Sequence, residues 1–571
     1  MKHIATGNEF VSLSSIDPEF RVLDSFSVLS MSCKGMLDFR GKVLESSIES
    51  NGEEQCITGH LNLKNWWIPS GHCQIGKLQI TETILCPMGM KGFVVSLSLA
   101  NQSSEDSQFV LKIQSRIDDV YHCVNLAKRL SGTIETRICS WTDSPVHDFS
   151  MGFPVLCTAF LSEGFQWECS SDSGFTGTRP MMLKSGETKS AEIFIGLGYE
   201  EIAAATSARH MERIGFECLL DDACRWIKER TFKCADSMLE SALNRNLLFC
   251  LFYSTGITYD TEEFCLMTSR CPRYYVSAAY WDRDSLFWSF PAILKSDRSI
   301  AKKMLEYVFT KQRRNIGIHS RYIDGTVLEP GFELDELCAP VIALKQYENE
   351  TGDAELGSME NAKAALSEIL KMLEEHHDKA TGLYSTFLQP TDDVAALPFL
   401  TYDNVLVWKV LLRLGRNGEA EQLRSAILAH CIVDGMYAWS VGRNGEHLFY
   451  DEPPGSLLQL SELLWCPSDD PAYLKTKANI LRKEYKFSFA GMPFGAIGCE
   501  HAPHPWILSM ATEARLGNEE ATRKLVHASM DNGIACESID ETTGECTTGE
   551  AFATCAGFVA WSLIKILETV K

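Results

Sequence analysis

The sequence contains no run of about 18 apolar residues, and its first twenty residues lack the basic start and unbroken apolar stretch of a signal peptide. These absences predict a protein without a membrane-spanning helix that stays in the cytoplasm. The 21 cysteines are odd in number, scattered and never spaced as C-x-x-C. Such spacing is atypical of zinc sites and of disulfide frameworks, so we interpret the cysteines as reduced core thiols.

Basic residues are also in deficit, because 53 Lys and Arg stand against 76 Asp and Glu and give a formal charge of −23. This charge repels nucleic-acid phosphates and anionic membrane surfaces, and no basic stripe reverses it locally. We therefore expect no nucleic-acid or membrane partner. A neutral sugar is compatible with the charge, and so is a homo-oligomer.

What is present indicates two folded domains. The chain has 571 residues, of which 45% are hydrophobic and 23% charged, a balance typical of compact proteins. From about residue 8 to 200 it alternates between apolar and polar residues in short segments such as KLQITETILCP and AEIFIGLGY. This period of two predicts an antiparallel β-sandwich over residues 1–225.

Near Tyr199 the pattern changes to helical spacing, which predicts a helical domain over residues 226–571. Segments rich in aromatic and small apolar residues alternate there with more charged ones, as inner and outer helices of a ring would. The number of candidate helices is twelve, as in an (α/α)6 toroid of six helical hairpins. The twelve candidate helices are roughly 233–256, 283–295, 298–312, 334–350, 358–376, 402–415, 417–431, 455–465, 470–484, 503–516, 518–531 and 549–568.

The loops that precede the apolar helices hold unusual polar clusters, which the toroid would gather on one rim. Hydrolysis of a glycosidic bond with inversion needs a protonated acid at the leaving oxygen and a second carboxylate that activates water. Acidic residues also collect at helix starts simply because they cap free N–H groups. These loops, however, are rich as well in Trp, Tyr, His and Arg, the residue types that contact sugars.

The segment YWDRDS at residues 280–285 resembles the W-x-R-D segment of the glucoamylase and glucodextranase family and the Y-W-D segment of trehalases and processing α-glucosidases. The resemblance implies that Trp281, Arg283 and Asp284 bind sugar. The segment ELDE at residues 333–336 is similar to a sugar-lining segment of glucodextranase-like enzymes. It implies that Asp335 and Glu336 bind substrate, with Glu336 as an alternative acid.

The segment ACESIDETTGECTTGEAFATCAGFVAW resembles the segment of the processing α-glucosidases that carries the general base. That resemblance implies that Glu537 is the base, although Ser538 and Ile539 stand where the family has Asn-Tyr. Glu550 is the competitor, because the glucoamylase family places its base at the start of the last helix.

The acid of these families precedes the sixth helix, which here is the loop LQPTDD at residues 388–393. Adjacent carboxylates raise one another's pKa, so that one of them can stay protonated near neutral pH. We take Asp393 as the acid and Asp392 as the alternate. Tyr402 and Asp403, at the end of this loop region, are expected to bind substrate.

His501 and His504 are i, i+3 residues interrupted by proline, a poor spacing for a helix-borne metal pair. We interpret them as polar residues of the sugar site or as packing residues, and we expect no metal and no cofactor.

The sequence thus predicts an inverting, exo-acting α-glycosidase, α-glucosidase-like, that acts on a small oligosaccharide. The alternative is a carbohydrate-binding or regulatory protein with the same fold that binds sugar but lacks catalytic activity. The sequence identifies neither the sugar nor the linkage.

Overall fold

The computed structural model describes residues 3–19, 22–152, 155–170 and 174–570. Contacts group the chain into two compact units. The first comprises Met1–Thr231, Thr255–Cys265 and Arg270–Ala278, and the second comprises Phe232–Ser254, Leu266–Ser269 and Ala279–Lys571. The predicted boundary between residues 225 and 226 falls inside a helix, Phe216–Arg230.

The first unit is built on two antiparallel sheets. Within the described ranges one sheet has nine strands, of which seven follow the order β1-β2-β3-β4-β10-β16-β15. The remaining two strands of this sheet are β5, which pairs with β4, and β11, which pairs with β10. The other sheet follows the order β12-β13-β14-β17-β9-β8-β7-β6. The strands are β1 Ile4–Gly7, β2 Val11–Ile16, β3 Leu23–Ser30, β4 Gly35–Ser50, β5 Glu53–Cys56, β6 His60–Lys64, β7 Ile68–Ile75, β8 Leu78–Leu85, β9 Gly92–Asn101, β10 Ser107–Cys123, β11 Lys128–Arg129, β12 Thr133–Cys139, β13 Ser144–Ser150, β14 Val155–Leu161, β15 Gln166–Cys169, β16 Gly174–Leu183 and β17 Thr188–Gly198.

The two sheets share one hydrophobic core, as the period of two in the sequence requires. Along β10, Phe109, Leu111 and Ile113 are buried, and the residues between them are more exposed. Phe39 of the first sheet meets Phe149 of the second edge to face, with ring centroids 4.7 Å apart. The predicted β-sandwich is present.

Fourteen helices follow within the described residues, and those from α3 onward belong to the second unit. They are α1 Glu201–Ile214, α2 Phe216–Arg230, α3 Ser237–Tyr253, α4 Phe290–Ser296, α5 Arg298–Thr310, α6 Leu334–Thr351, α7 Glu355–Ser358, α8 Glu360–His376, α9 Thr401–Arg413, α10 Asn417–His430, α11 Pro471–Leu481, α12 Ile507–Arg515, α13 Glu519–His527 and α14 Ala553–Val570.

The helices alternate between inner and outer positions of a closed ring. Nearly every residue of α9 is buried, whereas α10 keeps an exposed face. The last helix, α14, packs against α3, α4 and α12, which closes the ring. Gly557 permits this closure, because a Cβ there would lie 2.7 Å from Cys250 Sγ and from the Ser289 Cα.

The eighth predicted helix, 455–465, is wrong. In its place are two short 3-10 turns, Pro453–Gly455 and Leu457–Gln459. The carboxylate of Asp451 accepts hydrogen bonds from the Ser456 hydroxyl, at 2.6 Å, and from the Leu457 backbone N–H, at 2.7 Å. These bonds and the two prolines hold tight turns at an inner position of the ring. Leu457, Leu458 and Leu460 are buried without a helix, which explains the misleading apolar pattern.

Short strands lie in the loops between the helices. They are β18 Thr255–Ile257, β19 Phe264–Leu266, β20 Ala279–Tyr280, β21 Ile318–Tyr322, β22 Val327–Phe332, β23 Phe399–Leu400, β24 Ile432–Val433, β25 Met436–Tyr437, β26 Ser440–Val441, β27 His447–Leu448, β28 Ser538–Ile539 and β29 Cys546–Thr548. Across the described part of the chain, the helices are too short or too polar to span a bilayer.

Candidate active site

The loop before α4 leads into a π-helical turn, Asp284–Ser289, at whose end the Phe290 N–H bonds to the Ser285 carbonyl. Pro291 follows directly and has no N–H of its own to donate. π-Turns of this kind occur often at functional sites. Here Arg283 lies just before the turn and Asp284 is its first residue, and the two side chains bind different partners.

Arg283 is the centre of a buried carboxylate cluster. Its Nη1 lies 2.5 Å from Glu333 and 3.2 Å from Asp335, and its Nη2 lies 2.6 Å from Asp392. The guanidinium is 3% exposed. Burial disfavours its charge, but the surrounding carboxylates outweigh burial and raise the pKa of Arg283 well above its usual value. Arg283 is therefore a fixed cation.

Asp284 lies 3.6 Å from Arg283 Nε through its Oδ2, and its Oδ1 accepts a hydrogen bond of 3.0 Å from the Thr554 hydroxyl at the start of α14. Burial raises the pKa of Asp284 to about 7, with Arg283 opposing the shift and Asp392 adding to it. Near neutral pH this carboxyl can therefore both donate and accept hydrogen bonds, as a group that contacts sugar hydroxyls must.

Glu336 has a clear structural task. Its oxygens accept hydrogen bonds from the backbone N–H groups of Asp282 and of Arg283, the latter at 3.0 Å. Glu336 is fully buried, and burial raises its pKa well above the usual value. It holds the W-x-R-D loop in place. Its predicted contact with substrate, like that of Asp335, stays a prediction.

Trp281 and Asp403 carry buried polar atoms that have no hydrogen-bond partner among the described residues: the indole Nε1 and both carboxylate oxygens. Trp281 packs edge to face on His319, with ring centroids 5.5 Å apart. Burial, followed by the charges of Asp335 and Glu333, raises the pKa of Asp403 well above its usual value. Tyr402, beside it on α9, is also buried.

Three side chains in this cluster, His319, Glu333 and Asp392, have ligand atoms within 4.8 Å of one another. That geometry suits a metal ion, but the Arg283 guanidinium already pairs with both carboxylates. Burial disfavours the His319 imidazolium, yet the hydrogen bond to Glu333 and the charge of Asp392 outweigh burial and raise its pKa. We read the cluster as a cation–carboxylate network.

Asp392 and Asp393 are adjacent, but they face different partners. Asp392 has a left-handed φ of 69° and turns its side chain to Arg283. The side chain of Asp393 is about half exposed, and its Oδ2 lies 3.1 Å from His501 Nδ1. The opposite nitrogen of the same imidazole, Nε2, lies 3.9 Å from Glu537 Oε1. The predicted acid and base therefore flank one histidine ring.

Glu537 lies at the start of the β28–β29 hairpin, where its backbone N–H meets the carbonyls of Thr548 and Gly549. Gly549 has a φ of 65°, and a Cβ there would come within 2.6 Å of the Glu537 Cβ. Glycine thus permits the close approach. Glu537 is 5% exposed, whereas the competitor Glu550 lies on the exposed surface.

A cleft of about 840 Å³ opens beside Asp393 and His501. Aromatic, apolar, polar and charged side chains line the rest of it: Gln389, Val394, Ala396, Leu448, Phe449, Tyr450, Arg482, Glu484, Tyr485, Lys486, Phe487 and Glu500. Asp393 and His501 belong to the lining of this cleft, whereas Arg283, Asp284 and Glu537 do not.

Several residues of the site carried no role in the sequence analysis, among them His319 and Glu333 of the Arg283 cluster. Thr554 bonds to Asp284, and Glu452 is a fully buried carboxyl that accepts hydrogen bonds from Gln389, at 2.6 Å, and Thr391, at 2.8 Å. The acidic loop DEPP at residues 451–454 is the sequence signal that could have pointed to Glu452. Asp451 in that loop caps a turn and has no other described role.

Comparison with known proteins gives a family match over residues 375–562, to the model described as metal-independent alpha-mannosidase (GH125). The matched range includes Asp392, Asp393, Glu452, His501 and Glu537. A curated relative, the meiotically up-regulated gene 157 protein of Schizosaccharomyces pombe, is 25% identical over 215 residues, which cover 33% of this chain and 42% of that protein. The matched region thus spans less than half of the relative's length.

Solved structures show the fold. A bacterial glucoamylase in complex with acarbose matches 100% of this chain and 94% of its own, with a TM-score of 0.65 and 11% identity. A Streptococcus pneumoniae protein from a family of metal-independent alpha mannosidases, in complex with α-1,6-mannobiose, covers 61% of this chain and 97% of its own, with a TM-score of 0.51 and 18% identity.

These matches confirm the fold predicted from the sequence, a β-sandwich followed by an (α/α)6 toroid, and the resemblance to six-hairpin glycosidases. The family match over residues 375–562 agrees with the enzyme class predicted from the sequence, a glycoside hydrolase.

Proposed function

We propose that the protein is an inverting, exo-acting α-mannoside hydrolase in which Asp393 is the general acid and Glu537 the general base. The observation that carries the mechanism is the contact of Asp393 and Glu537 with opposite nitrogens of His501. Because the imidazole lies between them, the two carboxyl groups are well separated, as inversion requires, and the ring must turn aside when the sugar carbon and the water enter. The choice of mannose rests on the family match.

The choice between Asp393 and Asp392 follows from their neighbours. Asp392 forms an ion pair with the buried Arg283 guanidinium, so its side chain is held by that partner and is not directed at the cleft. Asp393 lies instead beside His501 and Thr391, at the edge of the open cleft. Asp393 is thus placed to meet a glycosidic oxygen whose leaving group occupies the cleft.

The choice of Glu537 over Glu550 rests on burial. A general base acts on one ordered water molecule, which a buried site can hold apart from bulk solvent. Glu537 is nearly buried, whereas Glu550 is exposed. Burial, followed by the charges of Glu537 and of Asp284, raises the pKa of the Cys555 thiol. The base candidate therefore lies close to the proposed sugar-binding carboxyl.

The reaction follows from these positions. Arg283, Asp284 and Trp281 hold the terminal sugar. Asp393 donates its proton to the glycosidic oxygen as the bond to the anomeric carbon breaks, while Glu537 takes a proton from water. The resulting hydroxide equivalent bonds to the anomeric carbon on the opposite face, so that an α-mannoside yields β-mannose. Solvent then reprotonates Asp393 and accepts the proton from Glu537.

The test is to incubate the protein with α-1,6-mannobiose, with aryl α-mannosides and with the matching α-glucosides, and to follow the first-formed anomer by NMR. We expect β-mannose as the first product and little turnover of the glucosides. First-formed α-mannose would contradict inversion, and turnover of glucosides alone would restore the α-glucosidase-like specificity predicted from the sequence. Saturable sugar binding without turnover would support the non-catalytic alternative.

A further inference from the structure

The loop that carries Asp392 and Asp393 is a tight turn held from below by a buried carboxyl. The Gln389 N–H bonds to the Asp393 carbonyl and the Asp392 N–H to the Gln389 carbonyl, each at 2.8 Å. Glu452 lies beneath the turn with no exposed surface. Its two oxygens accept from the Gln389 amide, at 2.6 Å, and from the Thr391 hydroxyl, at 2.8 Å.

The Thr391 hydroxyl connects Glu452 to Asp393. Its oxygen lies 2.8 Å from Glu452 Oε2 and 3.3 Å from Asp393 Oδ2. A hydroxyl group has one proton and so can donate to only one carboxylate at a time. When both carboxyl groups are ionised, one of them faces the hydroxyl lone pairs. When one carboxyl is protonated, it donates to Thr391, and Thr391 donates to the other.

The surroundings of Glu452 also favour one added proton. Burial raises the pKa of Glu452 to about 8, the hydrogen bond from Thr391 opposes the shift, and the charge of Asp393 adds to it. The other ionisable groups that interact electrostatically with Glu452 are all acids. They are Asp451, Asp403, Tyr450, Tyr485 and Cys499. Asp393 also faces His501, which in turn faces Glu537.

We propose that Glu452 is a positioning residue that shares one proton with Asp393 through the Thr391 hydroxyl, and so keeps the proposed acid protonated at the pH of turnover. This inference rests on the proposed function. When Asp393 gives the proton to the glycosidic oxygen, two carboxylates face each other across Thr391. Their mutual repulsion then favours the uptake of a proton from solvent, which restores the pair.

The test is the pH profile of kcat/KM for Glu452→Gln. The amide keeps the volume and can still hydrogen-bond, but it carries no negative charge. Without that charge the two side chains no longer share a proton, so the alkaline limb of the pH profile should move to lower pH by about one unit. Thr391→Val should move the limb in the same direction, and Thr391→Ser should keep it in place. Glu421→Gln, on the outer helix α10, is the matched control and should leave the profile unchanged.

A second substrate separates proton supply from general damage to the fold. Fluoride leaves without protonation, so α-mannosyl fluoride needs no general acid. We expect Glu452→Gln to slow hydrolysis of α-1,6-mannobiose by up to about tenfold on the alkaline limb and hydrolysis of the fluoride by much less. Equal losses on both substrates, or an unmoved alkaline limb, would overturn the inference.

If Glu452→Gln does not fold, as judged by thermal unfolding, the comparison of Thr391→Val with Thr391→Ser decides the same question. An inactive wild-type protein would instead refute the proposed function, so the two failures are distinguishable.

Discussion

Arg283 Nη2 and Asp392 Oδ1 lie 2.6 Å apart, although 109 residues separate them in the sequence. The contact joins the loop before α4 to the loop that carries the proposed acid. Because Asp392 turns to Arg283 and Asp393 turns to His501, we expect the two adjacent carboxyl groups to have different tasks, the first in sugar binding and the second in proton transfer.

Exchanging these two aspartates for asparagine should therefore affect different kinetic constants. Asp392→Asn weakens the ion pair that orients Arg283, and we expect an increase in KM of roughly tenfold with a small change in kcat. Asp393→Asn removes the proton donor, and we expect kcat to fall by about 10²–10⁴ with little change in KM. Steady-state kinetics on α-1,6-mannobiose measures both. The reverse pattern would make Asp392 the acid.

Glu537 and Glu550 form a second matched pair. Glu537→Gln removes the proposed base beside His501 and should lower kcat by about 10²–10⁴ while product binding persists. Glu550→Gln changes an exposed carboxyl and should stay within a few-fold of the wild type. Product affinity is measured by calorimetry with mannose. If only Glu550→Gln is inactive, the base is the residue at the start of the last helix.

The raised pKa of Asp284 predicts how stability depends on pH. The group is protonated in the folded protein up to about pH 7 but ionises near 3.8 when unfolded. Between these values the folded state binds more protons, so the free energy of unfolding falls as pH rises. Asp284→Asn removes this contribution. In urea titrations at pH 5 and pH 8, the variant should lose less stability than the wild type, by on the order of 1–4 kcal/mol. Parallel losses would mean that Asp284 is already ionised in the folded protein.

Chelation tests the interpretation of the cluster of His319, Glu333 and Asp392. Because the Arg283 guanidinium pairs with both carboxylates, we expect dialysis against EDTA to leave kcat and KM unchanged. Added calcium or zinc should not raise activity either. A loss of activity that one divalent cation restores would show that a metal replaces the ion pairs in the working enzyme.

The sequence by itself determined the change from a period of two to helical spacing near Tyr199, the alternation of apolar and charged helices, and the loops that hold the carboxylates. These are local patterns, and local burial explains them. The same pattern led to a wrong prediction of a helix at residues 455–465. There the buried Leu457 and Leu458 occupy an inner position of the ring without forming an α-helix.

Only the tertiary structure decided which carboxyl groups meet. Closure of the ring brings Asp392 to Arg283, His501 between Asp393 and Glu537, and Thr554 to Asp284. Closure also buries Glu452, which the sequence marked merely as part of an acidic loop. The pKa of a carboxyl depends on its burial and on charges a few ångströms away. Both are set by contacts between residues far apart in the chain, which hydrophobic periodicity along the sequence does not encode.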